Sequence, residues 1–197
     1  GTVLTYGDTL DDLPEEYLEL YRRVLPPLAV PGRPLDLWEN QPFMIWGMDP
    51  GEADGPYSLF GVFEFQGRHP NQEMAVNLDE VAARSRSWRD TPAEAPAAWL
   101  LWDFWKQKLH TVDGAKLTIP VPVKSCSVFA LRPMTGRPQL LGTSGHFSQG
   151  VLETSDIRWN DRHRRLTGEA RGNGGDPTTL FVYVPEGMQC TFASVDY

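Results

Sequence analysis

Leu59-Phe60-Gly61-Val62-Phe63-Glu64-Phe65 carries apolar side chains at both odd and even positions. Successive residues of a strand point to opposite faces, so a strand-length segment apolar on both reads as the central strand of a sheet. Working outward, Ser125-Cys126-Ser127-Val128-Phe129-Ala130-Leu131 and residues 151–159, 180–184 and 188–195 continue a rhythm of short apolar segments separated by Gly, Pro, Asn and Asp. That rhythm predicts a mainly β chain folded as an antiparallel β-sandwich. Ile157-Arg158-Trp159 and Arg165-Leu166-Thr167-Gly168 flank Asn160-Asp161-Arg162-His163, which predicts a hairpin with a polar turn. Pro185-Glu186-Gly187 reads as a second turn. Residues 79–98 read as a short helical or irregular excursion.

The pattern near the amino end is different. Val3-Leu4-Thr5-Tyr6-Gly7-Asp8 reads as a short strand entering a loop, and Asp12-Leu13-Pro14-Glu15 has the spacing of a capping box. In the helix that follows, Tyr17, Leu20, Tyr21, Val24 and Leu25 share one face and Glu19, Arg22 and Arg23 are left to water, until Pro26-Pro27 ends it. This strand–helix unit cannot bury both its faces alone, which predicts an exposed apolar patch and association into a homo-oligomer through it. Pro26, Pro27, Pro31 and Pro34 with Gly32 form a stiff connection. It divides the chain into a strand–helix unit over residues 1–35 and an all-β domain over residues 36–197.

A net charge of −8 and the lack of a run of Lys and Arg argue against a nucleic-acid backbone or an anionic membrane as partner. No apolar stretch approaches the ~20 residues that span a bilayer, and no secretory leader pattern opens the sequence, so the chain reads as soluble, with no pointer to a compartment. Cys126 and Cys190 are too few for a disulfide framework, and their apolar, alternating surroundings predict buried free thiols. His69, His110, His146 and His163 lack metal-ligand spacing, so no metal is expected. Gly172-Asn173-Gly174-Gly175-Asp176-Pro177 lacks the Lys and following helix of a phosphate loop and reads as a turn; no cofactor is expected. Ser144, His146 and Ser148 are close in sequence without a Gly-x-Ser-x-Gly elbow, so no catalytic residue is assigned.

Seven Trp residues invite a sugar-stacking reading. Trp99, Trp102, Phe104 and Trp105 form one dense apolar element with Ala97, Ala98, Leu100 and Leu101, which predicts core or interface packing. Trp38, Trp46 and Trp88 lie near Pro- and Gly-containing connections and are the candidate glycan contacts, because binding residues concentrate in loops.

Several stretches taken in order carry a family likeness. They are residues 3–8, then Leu13-Pro14-Glu15-Glu16 and Val24-Leu25-Pro26, Arg33-Pro34-Leu35-Asp36-Leu37-Trp38, residues 59–65, Trp102-Asp103-Phe104-Trp105, residues 140–150, and Trp159 through Leu166-Thr167-Gly168. Together they resemble the end of a melibiase-type alpha-galactosidase, a retaining glycoside hydrolase whose catalytic TIM barrel precedes an all-β C-terminal domain. Phe65 and Gly145 depart from that pattern, standing where Trp and a basic residue are expected.

The resemblance implies that the strand–helix unit is the end of the barrel and that the rest is an accessory sandwich packed on it. The two reactive carboxylates, ~5 Å apart in a retaining enzyme, then lie on earlier barrel strands outside this chain. Its implied partners are the catalytic barrel and, through it, a carbohydrate substrate. Asp8 would end the last barrel strand, where barrel active sites are built, and is the candidate rim contact to substrate hydroxyls. Read by itself, Asp8 is a loop or capping aspartate, and Asp11, Asp12, Glu15 and Glu16 are a favourable acidic helix start. An independent carbohydrate-binding module and a structural or oligomer-forming sandwich remain open as alternatives.

Overall fold

A computed structural model describes residues 10–39, 44–51, 57–64, 72–85, 95–172 and 177–195. The strand expected over residues 3–8, with Asp8, lies outside the described residues, as do Phe65, His69, Trp88 and most of the 172–177 turn. The chain runs from a 3-10 turn (Leu10–Asp12) through α1 (Glu15–Val24), β1 (Arg33–Pro34), β2 (Ile45–Met48), β3 (Ser58–Phe63), β4 (Gln72–Asn77) and α2 (Leu78–Ser85). It continues through β5 (Ala98–Asp103), β6 (Lys108–Asp113), β7 (Lys116–Val121), β8 (Cys126–Pro133), β9 (Gln139–Thr143), β10 (Thr154–Asn160), β11 (Arg165–Ala170) and β12 (Leu180–Tyr183).

The structure is mainly β and every strand pairing is antiparallel. Six strands form one sheet in the order β1-β2-β3-β8-β5-β6. The stretch apolar on both faces becomes β3, flanked by β2 and β8, as its composition requires. Phe60 and Val62 face one apolar layer and Leu59 the other. Phe60 stacks on its cross-strand partner Phe129 with ring centroids 5.2 Å apart, an arrangement worth about 0.5–1.5 kcal/mol beyond burial.

Each face of the sheet has its own cover. On one, the β4–β7 pair and α2 bring Met74, Val76, Leu78, Val81, Ile119 and Val121 against Phe60, Val62, Leu101 and Leu131. On the other, the β9–β12 pair sets Leu141, Phe181 and Tyr183 against Leu59, Leu100 and Trp102, joined by Leu28 from the Pro-rich connection. The Trp102 and Phe181 rings lie 4.6 Å apart and tie β12 to the central sheet. The predicted hairpin forms as β10–β11 around residues 161–164, and beyond Thr154 none of its residues is fully buried.

Several expectations are corrected. The capping box at Asp12 does not form: Asp12 ends the 3-10 turn, and Pro14, which has no side-chain acceptor, occupies the cap position. The Pro14 carbonyl instead accepts the Tyr17 and Leu18 N–H groups. A side-chain cap exists at α2, where Asn77 Oδ1 accepts the Asp79 N–H at 3.2 Å while Asn77 Nδ2 donates to Glu80 Oε1 at 3.0 Å. Cys126 and Cys190 are exposed thiols, not buried ones; Cys126 opens β8 on an outward-facing position. Residues 188–195 form no strand, and Phe192 and Val195 stand in solvent. Residues 147–153 are turn, so the strand expected from 151 begins at Thr154.

Candidate functional site

Two places hold functional interest: the mounting of α1, and a cleft at the tip of the β10–β11 hairpin. Helix α1 has acidic residues in its first turn and Arg22 and Arg23 in its last, both favourable to the helix dipole. None of its residues is buried, and Tyr17 and Leu20 are 50% and 42% exposed. The helix is fastened at its carboxyl end, where the Phe147 N–H donates to the Arg23 carbonyl at 2.9 Å and the chain dives to buried Leu28.

His146 sits under that junction. Its Nδ1 accepts the Ser148 N–H at 3.1 Å and lies 2.8 Å from Ser148 Oγ. With Nδ1 an acceptor, the neutral ring carries its proton on Nε2. Nε2 is buried without a well-formed hydrogen bond, though the Val24 and Pro26 backbone lies within reach of the ring. Burial pushes the His146 pKa below its ordinary value, and the backbone of Val24 and Pro26 opposes that only in part. Ser148 is fully enclosed, so the Ser148–His146 pair offers no nucleophile to a substrate and is a structural clamp.

The rest of the stretch 140–150 is equally structural. Thr143 Oγ1 donates to Glu153 Oε2 at 2.7 Å, and burial raises the Glu153 pKa against that bond. The Tyr57 hydroxyl donates to the Ser148 carbonyl at 3.0 Å, and the Arg132 guanidinium lies 4.0 Å from the centre of the Tyr57 ring. Gly150 adopts φ +114, a conformation that L side chains avoid. A side chain at Gly145 would meet the Glu153 carboxylate. Residues 140–150 are therefore the corner that locks the second layer, β3 and the end of α1 together.

The sequence-derived glycan contacts do not converge on one described site. Trp38 is 91% exposed in the turn after β1. Trp46, in β2, pairs with Pro34 and Gly61, and its half-buried indole has an enclosed Nε1 without a partner. Both belong to the β1–β2 edge of the sheet, while Asp8 and Trp88 lie outside the described residues. Trp99, Trp102 and Phe104 are buried, as their dense apolar element predicts, but Trp105 is 37% exposed, because the strand ends at Asp103 and Trp105 falls in the turn after it.

The cleft was not legible in the sequence. Thr135, Gly136 and Arg137 from the β8–β9 turn, Trp159, Asp161 and Arg164 from the hairpin, and Met188 line an open space of about 410 Å³. Trp159 Nε1 donates to Asp161 Oδ1 at 2.7 Å, and Asp161 Oδ2 lies 4.0 Å from Arg137 Nη1. The turn also corrects the statement that the chain has no basic run, because Arg162, His163, Arg164 and Arg165 are consecutive. An overall charge of −8 hides that local excess. Among the described residues no group of His, Cys, Asp and Glu is placed to hold a metal ion, and no helix is long and apolar enough to cross a membrane.

No protein-family model matches the chain, and no curated protein matches it in sequence.

Proposed function

We propose that this chain is the accessory C-terminal β-sandwich of an alpha-galactosidase-like glycoside hydrolase, and that α1 is the last helix of the catalytic barrel on which it packs. The observation that carries the reading is α1 itself: an amphipathic helix, fastened at its carboxyl end, with no buried residue. A barrel helix is apolar where it meets the barrel strands, and the Tyr17 and Leu20 face has that character. The ordered series of family-like stretches supports the same reading. In it, the corner at residues 140–150 holds the barrel helix on the β domain, and glycosidic-bond hydrolysis belongs to two carboxylates of the barrel. Asp8 at the barrel rim and Trp38 at the exposed sheet edge are the proposed sugar contacts, with Trp46 and Trp88 as secondary candidates. An independent binding module leaves the bare face of α1 without a role; an oligomer-forming sandwich would cover it with a second copy, but gives no reason for the ordered series of family-like stretches.

The experiment is a pair of hydrolysis assays on aryl glycosides. The 197-residue chain alone should give no turnover, and the polypeptide joined to the coding sequence preceding Gly1 should give it. Turnover by the chain alone that is lost in Asp8→Asn, or a preceding sequence that encodes no βα repeats, would overturn the proposal.

A further inference from the structure

The cleft between the β8–β9 turn and the hairpin tip carries an inference independent of the barrel. We infer that it binds a saccharide bearing a carboxylate, such as a uronate residue. Its charge is unbalanced: Arg137 and Arg164 line it against the single carboxylate of Asp161. Asp161 is already occupied by the Trp159 N–H at 2.7 Å and reaches Arg137 only at 4.0 Å. Arg164 makes no ion pair among the described residues. A guanidinium with an open planar fork is matched by a carboxylate, which it holds with two parallel hydrogen bonds.

The remaining lining selects the body of the ligand. The Trp159 Nε1 donates to Asp161 at the edge of the cleft, which leaves the ring as an apolar surface suited to the apolar face of a pyranose. Thr135 brings a hydroxyl, and Gly136, at φ +71 with open space where a Cβ would stand, leaves its backbone accessible to ring hydroxyls. The space is open to solvent, so it would hold a sugar unit against one wall and leave neighbouring units of an oligosaccharide free to extend past it. Nucleic acid fits less well, because one aromatic in the lining gives no platform for successive bases.

The test is calorimetric titration of the 197-residue chain with trigalacturonate, with neutral galactotriose, and with a short single-stranded oligothymidylate. Trigalacturonate should bind saturably, at least tenfold tighter than either comparator, and weaken as ionic strength rises. Arg164→Gln and Trp159→Ala should each reduce its affinity at least tenfold. Arg84→Gln, in α2 and paired with Glu39 and Glu80, should leave it unchanged, and the thermal midpoints of the two cleft variants should stay near wild type. Absence of saturable trigalacturonate binding, equal binding of galactotriose, tighter binding of the oligonucleotide, or full affinity in Arg164→Gln would overturn the inference. Because every residue involved lies between 135 and 188, failure here leaves the barrel reading untouched, and failure of the hydrolysis assays leaves this one untouched.

Discussion

Helices α1 and α2 are both short and amphipathic, both open on acidic residues and both end near arginine, yet the protein treats them in opposite ways. Leu78, Val81, Ala82 and Ser85 of α2 are buried against the first apolar layer, its start is capped by Asn77, and Trp99 Nε1 donates to Asp79 at 2.9 Å. Helix α1 buries none of its residues, has no side-chain cap, and is held by the junction at Arg23 and Phe147. Amphipathic spacing is thus a statement that a partner exists; it does not say whether the partner is in the same fold. For α2 the partner is the six-stranded sheet. For α1 it is, in our reading, a barrel.

The largest expected effect is in the packing of α2, set against the uncovered face of α1. Leu78→Ala, at a fully enclosed position, should cost roughly 2–5 kcal/mol in urea unfolding. Leu20→Ala on the bare face of α1 should stay within about 0.5 kcal/mol; comparable losses would break the contrast. The caps sharpen it at a smaller scale. Asn77→Ala should cost about 1 kcal/mol in the same urea unfolding, well below the loss at Leu78.

The subtlest prediction concerns pH. Burial holds the folded pKa of His146 below the ordinary 6.5, so between the two values the unfolded chain binds the extra proton. Stability from this group is therefore complete above pH 6.5 and is lost as pH falls through 6.5 toward the lowered value. Glu153, whose pKa burial raises from 4.5, acts in the opposite sense between 4.5 and its raised value. Comparing wild type with His146→Asn isolates the first effect: the variant should lose the slope of unfolding free energy below pH 6.5. An unchanged slope would remove His146 as the acid-sensitive element beneath α1.

What the sequence disclosed follows the same physics. Residues 59–63 were readable because apolarity on both faces has one economical explanation, and the β10–β11 hairpin because its polar turn separates two complementary runs. Strands β4, β6 and β7 went unread: Glu73 stands inside β4, Lys108 and Lys116 open β6 and β7, and each strand has an exposed face that dilutes its apolar signal. Residues 188–195 misled in the reverse direction, since apolar composition cannot supply a neighbouring strand. Pro14 displaced the cap from Asp12. Of the site candidates, Trp38 and Trp46 were read only as lying near Pro- and Gly-containing connections, and the structure sets them at one sheet edge; the cleft draws on positions near 136, 161 and 188, a convergence that only tertiary structure creates.

Hydrogen–deuterium exchange tests the central claim most directly, applied to this chain alone and to the same chain joined to the polypeptide encoded immediately before it. The account predicts that the amides of α1 gain at least tenfold protection in the joined form while those of α2, already packed, are unchanged. Equal exchange of α1 in the two forms would mean that no barrel covers the Tyr17 and Leu20 face, and would contradict the account.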